Sequence, residues 1–341
     1  MRIRRALYTQ ADRQRVQTDI VNDVLNDPDK YLSRYASDER THDGHIISAD
    51  LMKEMFSQYA ESAYSRARYG DPVHNAAQAL ADEQLSRILS EASPISDQAL
   101  FFTGVSGAGK SVSIDTLFAH TNVDSTVHFV YEGQLANANA AVARMQSTID
   151  AGITPTIVAF NIEPESALQN TMDRYLEEGR GATIHSMATV QSALPESLQH
   201  VHDVFGDRVN LVVVDKSQGM NHAEIHHGWD NLSRMEMGNY EQIRDRLEGA
   251  LENFRELGYA TDAIEQAYGR YSSGNDHEYD RGDDGAYKQS SHSQDEPGEE
   301  VSIEKGRDEN ESIKVELGQD RALNNAQTQE QDPGDAYSIS L

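Results

Sequence analysis

The sequence predicts an α/β fold, a doubly wound parallel sheet with helices on both faces, followed by a disordered acidic C-terminal tail. Three observations predict it. Five short apolar runs are separated by stretches with helical spacing, and the second run leads straight into a glycine-rich segment that opens a helix. The acidic surplus gathers toward the C-terminus, where large apolar residues thin out.

Taken in order, residues 1–40 read as an N-terminal helical segment, with an amphipathic helix from Ala11 to Ser33 interrupted near Asp27-Pro28. Residues 41–268 hold the alternating part. The run His45 to Asp50 reads as a short buried strand ending in an aspartate, and Leu51 to Ala67 as a helix. Asp71-Pro72 has the form of an N-cap with proline at the first helical position, so a second helix is expected to start there and to end at Ser93-Pro94. Gln98 to Thr103 is the strand before the glycine-rich segment. Thr126 to Glu132, Thr154 to Ile162 and Arg208 to Asp215 are the remaining strands, with helices expected between them and a last helix over Asn239 to Gly258. Residues 269–341 are the expected tail.

The chain has 341 residues and a net charge of −28, with 57 acidic residues against 29 basic, a balance that disfavours nucleic acid and anionic lipid as partners. It has no cysteine, which excludes disulfides, thiolate zinc sites and a cysteine nucleophile. The basic start MRIRRALYTQ is followed by no apolar run, and nothing later reaches a membrane-spanning length, so a soluble, cytoplasmic protein is expected.

Gly104, Val105, Ser106, Gly107, Ala108, Gly109, Lys110 and Ser111 match the phosphate-binding pattern G-x-x-x-x-G-K-S/T in full, between an apolar strand and a helix. Glycines let successive backbone N–H groups face phosphate oxygens, and the helix N-terminus adds positive potential. Lys110 is expected on the β- and γ-phosphates of ATP or GTP and Ser111 on Mg²⁺. The pattern alone does not separate a kinase from an ATPase or a switch.

The stretch from Val127 to about Asp215 resembles the zeta toxin family of P-loop kinases. The residues that carry the resemblance are Glu132-Gly133 at a strand end, Arg174-Tyr175 on a helix, and Gly179-Arg180 in the loop after it. The resemblance implies phosphate contacts for Arg174 and Arg180. In that family the strand bearing the catalytic base follows the P-loop, whereas here the P-loop helix runs almost directly into the next strand. A candidate lies upstream instead, where I-S-A-D-L-M-K resembles the family's I-D-N-D-T-F-K. It implies Asp50 as base, Lys53 near the substrate and the family's elements in transposed order, with Asp50 on a strand next to that of the P-loop. Glu83 falls near the position of a substrate-pocket acid, and Glu132 is a further substrate-side or metal-side candidate.

By the same resemblance the chain is expected to phosphorylate a sugar hydroxyl of a small molecule like UDP-N-acetylglucosamine and to have an antitoxin protein as partner. The rival readings are a nucleotide-binding regulatory or effector protein with little turnover and a P-loop kinase with another acceptor. Asp215 reads as a strand-end turn residue, His222, His226, His227 and Glu224 as exposed loop positions, and Trp229 as a packing anchor for the last helix.

Overall fold

The computed structural model describes residues 1–90, 97–120, 127–219 and 222–270. The expectations for the tail beyond residue 270 and for the stop at Ser93-Pro94 lie outside the described residues.

The chain opens with α1 (Ala11–Asn26) and α2 (Pro28–Ala36), broken where Asp27 accepts a hydrogen bond from the Lys30 amide and Pro28 takes a position whose N–H has no helical partner. After β1 (Ile46–Ser48) come α3 (Ala49–Lys53), α4 (Ser57–Ala60) and the 28-residue α5 (Ala63–Ser90). Two expectations are corrected here. Leu51 to Ala67 is not one helix, and the next helix does not begin at Pro72. Ser62 starts α5 instead, its Oγ accepting from the Ser65 amide at 3.0 Å. Pro72 lies inside the helix, so the Arg68 carbonyl lacks its usual donor, and the fully buried stripe Val73, Ala76, Ala77 and Leu80 holds the helix through that loss.

The remaining elements are β2 (Gln98–Gly104), α6 (Lys110–His120), β3 (Val127–Glu132), α7 (Ala138–Asp150), β4 (Thr154–Asn161), α8 (Pro164–Glu178), α9 (Ile184–Phe205), β5 (Asn210–Asp215), β6 (Glu224–His227), α10 (Tyr240–Glu256) and α11 (Thr261–Ala267). The helix α9 starts well before Pro195, where the sequence suggests it, because Thr183 caps it through a bond from the Ser186 amide at 3.1 Å. Neither α11 nor β6 was foreseen. The segment read as exposed loop histidines forms β6, an antiparallel strand on β5, with His226 3.3 Å from Glu224.

Strand order is β1-β3-β2-β4-β5-β6, with the first five parallel. This is an α/β sheet of P-loop NTPase type covered on both faces. Phe101, Phe129, Tyr131, Ile157 and Val213 point to one face, beneath α1, α5, α7 and the C-terminal half of α9. Leu100, Phe102, Val130, Val158 and Phe160 point to the other, beneath α6, α8, α10 and α11.

The order corrects the expectation that the Asp50 strand adjoins the P-loop strand. Here β3 lies between them, because its buried run needs a neighbour on each side while three-residue β1 offers one edge. The outer edge of β1 is closed by the buried Tyr35 hydroxyl, which donates to the Ile46 carbonyl at 2.8 Å and accepts from the Ser48 amide at 3.0 Å. All five parallel strands still end on one side. Among the described residues, no helix is long and apolar enough to cross a membrane.

Candidate active site

The loop from Gly104 to Ser111 leaves the end of β2 in the middle of the sheet and enters α6 at Lys110. Gly107 and Gly109 have φ near +84° and +81°, and a Cβ on Gly107 would collide with the Ala167 carbonyl of α8. Asn170 of α8 donates to the Gly107 carbonyl at 2.8 Å. Behind the loop, the buried Lys216 ammonium lies 3.4 Å from the Ala108 carbonyl and over the Phe160 ring. Lys110 turns back on the loop and donates to the carbonyls of Gly104 and Val105, both at 3.1 Å. Burial lowers its pKa, while the charges of Glu132 and Asp50 favour the ammonium.

Ser111 donates to Glu132 at 2.6 Å, and the other oxygen of the same carboxylate accepts from Ser48 at 3.0 Å. A hydroxyl and a carboxylate oxygen beside a phosphate cradle are the hard donors Mg²⁺ takes, with nucleotide phosphates and water completing its shell. The residues present therefore fit the ion.

On the other side, Ser48 is the N-cap of α3, its Oγ 3.5 Å from the Leu51 amide. The cap role that a strand-end aspartate could have filled is thus taken, and Asp50 stands at the second helical position facing a cavity of about 300 Å³. Lys53 reaches its carboxylate at 3.0 Å and Arg180 at 3.7 Å. The Lys53 ammonium, assisted by Arg180 and Arg174, holds the Asp50 carboxyl well below the usual range, so it is ionised at neutral pH.

Arg174 and Arg180 come from α8 and the loop that follows. Gly179 ends α8 in the left-handed region, φ +77°, and a Cβ there would strike the Ala63 carbonyl at the start of α5. This close approach brings the arginine loop onto the α5 wall. Arg174 Nε donates to the Arg180 carbonyl at 2.9 Å, tying the two together.

The cavity therefore gathers Asp50, Lys53, Arg174, Arg180 and the loop residue Ser106, with Lys110, Ser111 and Glu132 linked to it through the loop and β3. Glu83 is a correction. It lies nine residues beyond the cavity-lining His74, about 13 Å along the axis of α5 at 1.5 Å per residue, and pairs with Arg87 at 3.0 Å. Several lining residues have no sequence motif, among them Tyr59, Arg66, His74, Gln134 and Gln266. Burial lowers the His74 pKa, with the Lys53 charge adding to the effect, and burial raises that of Tyr59 with the Asp50 charge adding. Arg66 is held by two bonds to Glu54, both 3.1 Å. Only Asp71 and His74, three apart on one helix face, left a trace that sequence reading could have used.

Away from the cavity, Asp215 accepts from the Ser217 amide at 3.0 Å and from Asn161 at 3.1 Å, the geometry of a turn aspartate. Trp229 donates to the Val209 carbonyl at 2.8 Å and stacks on His202 of α9, so it anchors α9 and β5, where the last helix was expected. Among the described residues, no three histidine, aspartate or glutamate side chains converge as a metal-binding group.

No protein-family model and no curated protein matches the sequence. Among solved structures, the chain is similar to one from the PezAT chromosomal toxin-antitoxin system of the human pathogen Streptococcus pneumoniae, at 11% identity and a TM-score of 0.35. The match covers 73% of this chain and 98% of that one. At such distance the functional reading stands on the site residues themselves.

Proposed function

We propose that the chain is an ATP- or GTP-dependent kinase that transfers the γ-phosphoryl group to an alcohol of a small molecule. The observation that carries the reading is one cavity flanked by a complete phosphate loop, an ionised aspartate and two arginines tied to each other. A nucleotide-binding switch has no need of the last three on the acceptor side of its loop.

The backbone N–H groups of Gly104 to Ser111 and the Lys110 ammonium hold the phosphates, the lysine leaving its two loop carbonyls to do so. Mg²⁺, held by Ser111 with Glu132 beside it, would neutralise charge on the β- and γ-phosphate oxygens. The acceptor oxygen forms its bond to the γ-phosphorus as the bond to the β,γ-bridging oxygen breaks. Its proton passes to Asp50, and the nucleoside diphosphate leaves. Arg174 and Arg180 balance the charge on the transferred group. A carboxylate with a depressed pKa is a weak base, so it takes the proton only as the oxygen becomes acidic on bonding to phosphorus.

Lys53, Arg66, Arg174 and Arg180 make the cavity suited to an anionic acceptor. Together with the resemblance in Glu132-Gly133, Arg174-Tyr175 and Gly179-Arg180, this favours a UDP-N-acetylamino sugar, and with it a toxin controlled by an antitoxin protein. The test is transfer of radiolabelled phosphate from ATP or GTP to a panel of UDP-sugars by purified protein. Acceptor-dependent labelling supports the reading. Nucleotide binding with no acceptor-dependent turnover would replace it with a regulatory nucleotide-binding role.

A further inference from the structure

Gln266, near the end of α11, lines the acceptor cavity while being only 5% exposed, and its side-chain oxygen has no hydrogen-bond partner. A buried amide oxygen left unpaired destabilises the protein that carries it, so it calls for an explanation. Two comparable buried atoms, Arg144 Nε and Gln191 Oε1, lie on residues outside the cavity lining.

The backbone fixes where this amide sits. A Cβ on Gly181 would collide with Gln266 Oε1, so the carboxamide lies directly on the residue that follows Arg180. After Arg180 the lining turns neutral, made by Gly181, Ala182, Thr183 and Ser186, whereas the α3 and α5 wall carries Asp50, Lys53, Arg66 and Asp71. Charged parts of an acceptor are matched by the second wall. The first offers an oxygen that can only accept.

We propose that Gln266 is a specificity-determining residue of the acceptor pocket, its Oε1 receiving a hydrogen bond from an uncharged N–H or O–H of the acceptor. The inference rests on the kinase reading above. A site built to pair with a substrate donor discriminates strongly against molecules that lack it, since the protein oxygen then stays buried and unpaired. Gln266 touches no reacting atom in this scheme, so its removal acts on acceptor binding and leaves the nucleotide side alone.

The experiment is steady-state kinetics on the full chain with ATP and, as acceptors, UDP-N-acetylglucosamine and UDP-glucose. Gln266→Leu is expected to raise the acceptor KM about tenfold or more, with kcat and the ATP KM changed less than about twofold. Loss of the preference between the two sugars identifies the amide N–H as donor, and a parallel rise for both identifies a hydroxyl. Gly181→Ala is the second variant. Its backbone is not in the left-handed region, so the added methyl acts by pushing the carboxamide away, and it should raise the acceptor KM as Gln266→Leu does. Adding Gln266→Ala to Gly181→Ala should restore the melting temperature but not the KM. An unchanged acceptor KM in Gln266→Leu, or a KM restored in the double variant, overturns the inference while the kinase reading stands. If the wild-type chain transfers phosphate to neither sugar, the acceptor reading fails and the inference falls with it.

Discussion

The two walls of the cavity are made of different material. The wall proposed to hold the nucleotide is backbone, with a loop bent through glycines, pinned by α8 through Ala167 and Asn170, and backed by Lys216. The opposite wall, where the proposed acceptor would lie, is side chains from α3, α4, α5 and the loop after α8, held by ion pairs such as Lys53 with Asp50 and Arg66 with Glu54. A backbone cradle presents the same N–H groups whatever the neighbouring side chains, so it recognises a constant ligand, phosphate. Side chains can be exchanged one at a time, which suits a wall proposed to select an acceptor.

The comparison breaks most sharply at Lys110, the cationic side chain that turns back on the backbone wall. Lys110→Ala should lower transfer by about 10³ or more while the far-ultraviolet circular dichroism stays unchanged, because the ammonium bonds only to loop carbonyls. Normal turnover in that variant would end the nucleotide reading. On the other wall, Asp50→Asn should lower kcat by a factor of about 10²–10⁴ with nucleotide affinity retained. Ser48 caps α3, so the change should also leave the melting temperature nearly where it was. If calorimetry shows a large loss of stability with little loss of rate, Asp50 is a structural residue.

A third expectation uses the sign of the Asp50 shift. Its folded pKa is depressed, so the carboxylate stays ionised as pH falls below the ordinary value of about 3.9, and stability from its pairing is present above that value and lost only at lower pH. Lys53→Met removes the leading cause, so an acid limb in the pH–rate profile should move upward toward the ordinary carboxylate range. A limb that does not move would separate Asp50 from the proton transfer. The smallest effect is expected at Glu83. Glu83→Ala removes a half-buried surface pair with Arg87 and should change stability by no more than about 0.5 kcal/mol and leave both Michaelis constants alone.

The same contrast governs what the sequence made legible. The phosphate loop and its flanking strand and helix could be read residue by residue, since a local motif builds a backbone site. Asp50, Lys53 and the two arginines could be named only through a resemblance, and their convergence depends on Gly179 meeting Ala63 across the fold. Proline shows the limit well. Pro28 and Pro164 begin helices as local rules say, but Pro72 and Pro195 lie inside helices started by Ser62 and Thr183, where buried stripes outweigh one missing hydrogen bond. Strand adjacency was misread because a strand's local pattern reports burial and not its neighbour. Gln266 carries no motif at all; its place follows from the packing of α11.

The strand order has a consequence for how the molecule is made. Among the described residues, β1 pairs with β3 alone, and Ser48 meets Glu132 across 84 residues of chain. During synthesis the segment that carries Asp50 leaves the ribosome first, with a strand whose template does not yet exist. The Tyr35 hydroxyl covers its outer edge, and water occupies the edge that β3 will later take. Contacts of such sequence separation are slow to form, so the last event in folding should be the docking of β1, and with it the arrival of Asp50 at a phosphate loop already complete.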